Sequence, residues 1–457
     1  MAERPPALSD DDARTQAVTV HDRSFLVEAG AGSGKTAVMA GRIAMLLAAG
    51  FEPRSIAAVT FTEFAASELL MRIRAFVDAL AVDDIPRELC AALADGLSDE
   101  RRRNLADAAA TLDEMTCSTI HGFCQRLITP YPVEADIDPG ASVLDRDQAE
   151  RAFAEIVDAW LREALSTETG GLLAELVLHN PDATVELVRT VLDHLRRHRA
   201  LAPYALEDLE RLVAAFREAA DGFAAFLDEA EAEEPETAAL AGHFQVLAGQ
   251  VGGALPADTP AALVKLLGMT PHGDLLNSSG GFRVYRKKGK WQAALREVGL
   301  AQAHADRLNH AAGARYALCC TAWTAFHQAV ATQVLADLVP VVEPVMDRFR
   351  AHKRAAAQLD FDDLIVSARD LLRDHDEVRR ALAARFRHVL VDEFQDTDPL
   401  QTEIFWRLCG EPPAGSDTGH WTTFSLRPGA LFLVGDPKQA IYRFRGADIA
   451  AYVRARE

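Results

Sequence analysis

Two patterns of apolar and polar residues divide this chain. Short apolar runs at 25–27, 56–62, 115–118, 388–391 and 431–434 read as buried strands, each closed by residues such as Thr, Asp or Gly. Between Gln148 and about Arg350 the apolar positions fall instead at helical spacing, as in Ala152-Phe153, Ile156-Val157 and Trp160-Leu161. The pattern predicts a sheet-forming core interrupted by a long helical segment. An independent helical domain on linkers is the alternative, but no Gly/Ser-rich tether flanks the segment. Pro and Gly gather at 252–260 and 270–281, inside it, as loops, and 410–429 reads as a surface excursion before the last strand. There is no internal repeat or heptad pattern, and the alanine richness reflects helix propensity.

The chemistry sits where strands end. Phe25-Leu26-Val27 leads into Ala29-Gly30-Ala31-Gly32-Ser33-Gly34-Lys35-Thr36, and a helical pattern follows through Val38, Ile43, Leu46 and Leu47. A glycine-rich loop between strand and helix can aim successive backbone N–H groups at phosphates. Lys35 adds charge, and the Thr36 hydroxyl suits Mg²⁺. The general pattern has Gly where this chain has Ala29. His388-Val389-Leu390-Val391 delivers Asp392 and Glu393 to the edge at which open α/β sheets hold ligands. One carboxylate can hold Mg²⁺ while its neighbour orients and deprotonates water. Gln395, Asp396 and Thr397 follow, and the strand at 431–434 ends in Gly435-Asp436 with Gln439 close behind.

With Val59 to Leu69, Ser118 to Cys124 and Gly435 to Asp448, these blocks resemble, in order and content, a superfamily 1 helicase of the UvrD/Rep type. Leu359-Asp360-Phe361-Asp362-Asp363-Leu364 is similar to the helix that this family carries before its acidic strand. Tyr131-Pro132-Val133-Glu134-Ala135, Asp138-Pro139 and Leu144-Asp145 look closer to its RecB/AddA branch. The resemblance implies an α/β fold: a P-loop, RecA-like parallel-sheet motor domain with a large inserted, mostly α-helical domain. Motor domain 1A would occupy 1–147 and 351–457, and the insertion, 1B, 148–350. It also implies ATP and Mg²⁺ as cofactors, with the loop 29–36 on the nucleotide. Lys35, Asp392, Glu393 and Gln439 would serve catalysis, Gln439 as a γ-phosphate sensor, and Thr36 and Asp392 would hold the metal.

For DNA, the resemblance implies Thr62, Thr119, His121, Tyr442, Phe444 and Arg445. Without it, His121 reads as a structural histidine, and a core position is the alternative for Phe444. Tyr442 and Phe444 alternate with Arg443 and Arg445, a platform on which bases could stack. The family reads adenine with an upstream glutamine. Gln16, the one glutamine before the loop, lies too close to Lys35, and Arg14 stands at the more natural position. The basic stretch Arg283 to Lys290, flanked by Trp291, could touch DNA or be a solvated loop.

The family has a second motor domain whose arginines complete the ATP site, and its RecB/AddA members usually add a nuclease domain; neither pattern occurs before Glu457. Arginine fingers are worth on the order of 10³ to 10⁵ in rate, so this chain alone is expected to bind ATP-Mg²⁺ but hydrolyse it weakly. The resemblance implies a 3′–5′ DNA helicase or translocase of end processing and recombinational repair. Its partners would be single-stranded and duplex DNA, a RecC/AddB-like subunit, or a polypeptide supplying the second motor. The other reading is a nucleotide-dependent DNA-binding or regulatory module that no longer unwinds.

Composition changes this little. A net charge of −20 excludes a uniformly basic nucleic-acid binder but not a local positive groove. The amino terminus lacks an apolar signal core, and no apolar stretch approaches the roughly 20 residues that span a bilayer, so a cytoplasmic protein is expected. Six cysteines without a C-x-x-C pair read as buried or incidental thiols, and no metal beyond Mg²⁺ is expected.

Overall fold

The computed structural model describes residues 10–30, 32–167, 171–198, 205–300, 302–413 and 420–439. They fall into two compact units, one formed by 1–151 with 351–457 and the other by 152–350.

The first unit is built on a five-stranded sheet of β1 (Phe25–Glu28), β2 (Ile56–Thr60), β3 (Thr116–Thr119), β6 (His388–Val391) and β9 (Leu431–Gly435). Its order is β1-β9-β6-β2-β3, and every neighbouring pair is parallel. Parallel neighbours need helical crossovers, which cover both faces. Ile56, Ala58, Leu390, Phe432 and Val434 point to one face and join a core with α1 (Asp11–Thr19), α2 (Lys35–Ala48), α3 (Glu63–Ala81) and α4 (Asp99–Ala110). The alternate residues Ala57, Val59, Val389, Val391, Leu431 and Leu433 point to the other. There they meet α5 (Ile120–Ile128), α15 (Phe361–Asp374), α16 (Asp376–Arg385) and α17 (Pro399–Cys409). A two-residue side-chain period buried on both sides explains why the strands read as unbroken apolar runs.

Between these parts lie β4 (Ser142–Val143) and β5 (Gln358–Leu359), which pair in parallel where the chain leaves and re-enters the unit. Such adjacency lets an insertion be accommodated without disturbing the host sheet. The excursion at 410–429, read as a loop, carries short strands. β7 (Gly410–Glu411) and β8 (Ser425–Leu426) form an antiparallel pair beside a 3₁₀ turn at Trp421–Thr423. The second strand also stops at Thr60 rather than Thr62, because Thr62 turns to cap the next helix.

Arg42, on α2, is fully buried and ties the amino-terminal helix to the sheet. Its Nη1 donates to Ala17 O at 2.7 Å and Val20 O at 2.8 Å, and Nη2 to Arg23 O at 3.2 Å. These are carbonyls at and beyond the end of α1, where intrahelical partners run out. The guanidinium also lies 4.6 Å from the Phe432 ring centre, and burial lowers its pKa to about 10.

The second unit is helical, comprising most of α6 (Arg146–Thr167), then α7 (Leu172–His179), α8 (Pro181–His198), α9 (Leu209–Asp228), α10 (Pro235–Gly252), α11 (Pro260–Leu267), α12 (Lys288–Glu297), α13 (Gln302–Val342) and the start of α14 (Pro344–Ala355). Contrary to the expectation that no stretch is long and apolar enough to span a bilayer, the helical run His304–Ala355 is so by length and composition. Its apolar residues nevertheless form a helical stripe. Ala305, Leu308, Ala312, Tyr316, Cys319, Trp323, Phe326 and Val330 are buried with residues of α9, α10 and α12, so core packing accounts for them.

Candidate functional site

The carboxyl ends of β1, β6 and β9 stand side by side, and the loop after β1 is stitched to β9. Ala29 N donates to Gly435 O at 3.2 Å. Ser33 closes the turn, its Oγ donating to Gly30 O at 2.6 Å. Gly32 and Gly34 take φ of 71° and 86°, a region open chiefly to glycine, and Gly34 caps α2 so that Lys35 is its first residue. A Cβ on Gly30 would lie 4.0 Å from Asp436 Oδ2, so the loop runs close to the end of β9. Ala31 lies outside the described residues.

Lys35 crosses to the second motif. Its Nζ donates to Glu393 Oε2 at 3.1 Å, with the lysine 9% and the glutamate 37% exposed. Gln395, buried at the start of the following turn, holds the same Oε2 from Nε2 at 2.7 Å and accepts from Asp436 N at 2.8 Å through Oε1. Asp436 in turn accepts from Lys438 N through Oδ1, and its carbonyl from Gln439 N. Glu393 itself sits at φ 50°, the left-handed region that a non-glycine residue occupies at a cost of about 1–3 kcal/mol. Asp392 is fixed by N–H donation to Val59 O and accepts from Glu393 N through Oδ1. Burial, then the adjacent Glu393 carboxylate, push its carboxyl up to about 6. A hydroxyl and a partly buried carboxylate are oxygen donors of the kind Mg²⁺ takes, so Thr36 and Asp392 fit that ion.

The ends of β2 and β3 carry the other predicted contacts. Thr62 caps α3, its exposed hydroxyl accepting from Ala65 N at 3.1 Å. Thr119 caps α5 by accepting from Gly122 N and donates to Glu63 Oε1 at 2.9 Å, which links the two strand ends. His121 packs edge-on against Phe361 with ring centres 5.0 Å apart, and burial lowers its pKa. Tyr442, Phe444 and Arg445 lie outside the described residues.

The model of the UvrD/REP helicase N-terminal domain matches residues 10–457. The chain belongs to this family. Among curated relatives, an ATP-dependent helicase/nuclease subunit of Bacillus cytotoxicus is 26% identical across 97% of the chain and 36% of its own length. The protein of the same name from Latilactobacillus sakei is 28% identical across 95% of the chain and 49% of its own length. The RecB component of the RecBCD enzyme of Chlamydia trachomatis is 26% identical, over 94% and 39% respectively. The chain thus spans well under two thirds of each of these relatives.

Within this UvrD/REP-family domain, sequence reasoning passes over Gln395, which joins the acidic motif to β9, although its place beside the Asp-Glu pair is the signal for it. Arg14, which stands where the family's glutamine is sought, is tied to the loop: its Nη2 donates to Ser33 O at 2.8 Å, while Gln16 is exposed on α1. The basic stretch at 283–290 is largely engaged locally. Lys287 and Lys290 both pair with Glu236, Lys288 pairs with Asp306 at 2.9 Å, and Arg283 donates to Leu276 O. Tyr285 and Trp291 bond to each other, and Trp291 is fully buried. Lys288 and Lys290 stand on α12 and not in a loop. Spacing along the chain also gives no sign of His243, His272 and Asp274, whose donor atoms gather within 4.8 Å of one another in the helical unit.

Proposed function

We propose that this chain is the ATP-binding motor portion of a DNA helicase and translocase of the AddA/RecB kind. It would move 3′ to 5′ on single strands in cytoplasmic end processing and recombinational repair. The observation that carries the reading is the reach of Lys35 from the glycine loop to Glu393, held in turn by Gln395 and Asp436. Such a constellation binds a nucleoside triphosphate at one strand end and presents a general base from another.

In this reading the loop 29–36 cradles the phosphates and Lys35 turns from Glu393 to them. Glu393, released, orients and deprotonates the attacking water. Thr36 and Asp392 would hold Mg²⁺, which offsets phosphate charge when bound. Gln439, one turn beyond β9, senses the γ-phosphate through the Asp436 turn that Gln395 ties to the base. On the DNA side, Thr62 offers a hydroxyl at a helix amino terminus, where backbone phosphates are favoured. Thr119 and His121 support the same groove, which Tyr442, Phe444 and Arg445 would complete. The partners proposed are single-stranded and duplex DNA, the family's second motor domain, and a RecC/AddB-like subunit. The relatives' names, helicase/nuclease and RecB, support the choice.

The test is coupling between the two ligands. Affinity for a fluorescent oligothymidylate should differ by about 5- to 150-fold between nucleotide-free and Mg·ATP-loaded protein, the usual range of site–site coupling. An identical anisotropy curve at saturating Mg·ATP would contradict a motor reading.

A further inference from the structure

The cluster of His243, His272 and Asp274 lies outside everything the nucleotide and DNA readings use. It joins two elements of the helical unit: His243 stands on α10, and His272 and Asp274 belong to the 3₁₀ turn at Gly273–Leu275, which His272 caps. Each element is anchored by the next residue along. Phe244, after His243, and Leu275, after Asp274, are both fully buried in the same core, so their packing sets the distance between the imidazole and the carboxylate. The result is His243 Nε2 at 3.3 Å from Asp274 Oδ2, with His272 Nδ1 at 3.5 Å from the same oxygen. Nδ1 also accepts from Asp274 N at 3.3 Å. A ring nitrogen that accepts carries no proton, so its lone pair and the carboxylate oxygen face each other with no hydrogen between them. A cation placed there would be met by both.

We propose that these three side chains bind a divalent transition metal, Zn²⁺ foremost, and that the ion clips the 3₁₀ turn to α10. Bonds of about 2.0–2.1 Å at a tetrahedral centre put neighbouring donors roughly 3.3 Å apart, and the two spacings to Asp274 are close to that. Two imidazoles with one carboxylate suit zinc, whereas Mg²⁺ and Ca²⁺ favour all-oxygen sites. Water takes the fourth position on the open side of the turn, where a Cβ on Gly273 would meet nothing within 4 Å. One rearrangement is required. The two rings are stacked, with centres 3.7 Å apart and planes 13° from parallel. An ion lies in the plane of each imidazole that binds it, so two rings in this arrangement cannot share one. His272, with its side chain 55% exposed against 26% for His243, is the ring that turns as the ion enters. Its hydrogen bond from Asp274 N then passes to water. The proposal departs from the expectation that Mg²⁺ is the chain's only metal, and it does not depend on the nucleotide site.

The experiment is calorimetric titration of Zn²⁺ into the chelator-treated parent chain, His243→Ala, His272→Ala and Asp274→Asn. Mg²⁺ in excess fills oxygen-rich sites, and thermal melts show that each variant is folded. The parent should bind one Zn²⁺. Each variant should bind it at least tenfold more weakly, since even groups that only support a metal's ligands are worth about 10- to 100-fold in affinity. Co²⁺ in place of Zn²⁺ should give the strong visible absorption of a four-coordinate site, with no thiolate charge-transfer band. Hydrogen exchange in peptides across 268–277 should slow on adding Zn²⁺ to the parent and stay unchanged in the variants. No zinc bound by the parent, an affinity undiminished in any of the three variants, or a thiolate band with Co²⁺ would overturn the proposal and leave the cluster as a surface ion pair. Zinc binding that leaves exchange across the turn unchanged would overturn the clip.

Discussion

Replacing Gln395 tests whether the acidic motif is held as one piece with the end of β9. The side chain is buried, with Nε2 on Glu393 Oε2 at 2.7 Å and Oε1 on Asp436 N at 2.8 Å. In Gln395→Ala the Asp436 N–H loses its acceptor in a buried place, which costs about 1–3 kcal/mol, and the lost hydrogen bonds add about 1 kcal/mol. Glu393 is 37% exposed and recovers part of its loss from water, so little is added on that side. A total near 2–4 kcal/mol is expected. Urea unfolding should be followed by hydrogen exchange in peptides from β6 and β9, so that the transition belongs to this unit and not to the helical one. Gln395→Glu sharpens the test. The new carboxylate can still accept from Asp436 N but faces the Glu393 carboxylate, so its folded-state pKa rises. Its destabilisation should shrink as pH falls and the pair takes up a proton. A Gln395→Ala protein within about 0.5 kcal/mol of the parent, a difference at the level of ordinary surface changes, would refute the reasoning.

Arg42→Met should fill much of the same space yet leave the three carbonyls at and beyond the end of α1 without their donor, at about 2–4 kcal/mol in chemical denaturation; Arg42→Lys should fall between it and the parent. Unchanged stability in Arg42→Met would mean water satisfies those carbonyls. His388 is buried with Nδ1 donating to Gly429 O at 2.9 Å, and burial lowers its pKa from 6.5 to about 4. Because the unfolded chain takes up this proton first, the histidine's contribution is full above pH 6.5 and lost as pH falls to 4, by up to about 3 kcal/mol. Asp392 and Asp398, both raised to about 6 with burial the largest cause, act in the opposite sense. The measurement is therefore the difference between parent and His388→Asn across that range, and a flat difference would contradict the assignment.

The sheet was legible because strands buried on both faces must be continuously apolar, so 388–391 and 431–434 could be read within a residue of their bounds. The loop was legible for a related reason, since positive φ at Gly32 and Gly34 restricts the residue type there. The strand order was not: nothing local says that β9 slips between β1 and β6, because that choice is made by long-range pairing. Gln395 and Arg14 act through partners far away in sequence, at Asp436 and Ser33, which no window along the chain contains. The partners of the basic stretch were hidden in the same way. Its charges are met by Glu236 and Asp306, whose distance in sequence hides the pairing.

The central claim is that the loop and the acidic motif form one nucleotide site. Calorimetric titration of Mg·ATP into the parent and into Lys35→Ala tests it most directly, with melting curves to show that both are folded. The ammonium on the phosphates is a charged hydrogen bond worth about 1.5–3 kcal/mol. Binding to the parent and a loss of affinity on the order of tenfold to a hundredfold in Lys35→Ala are therefore expected. Equal affinities in the two proteins, or no heat of binding in the parent, would contradict the account.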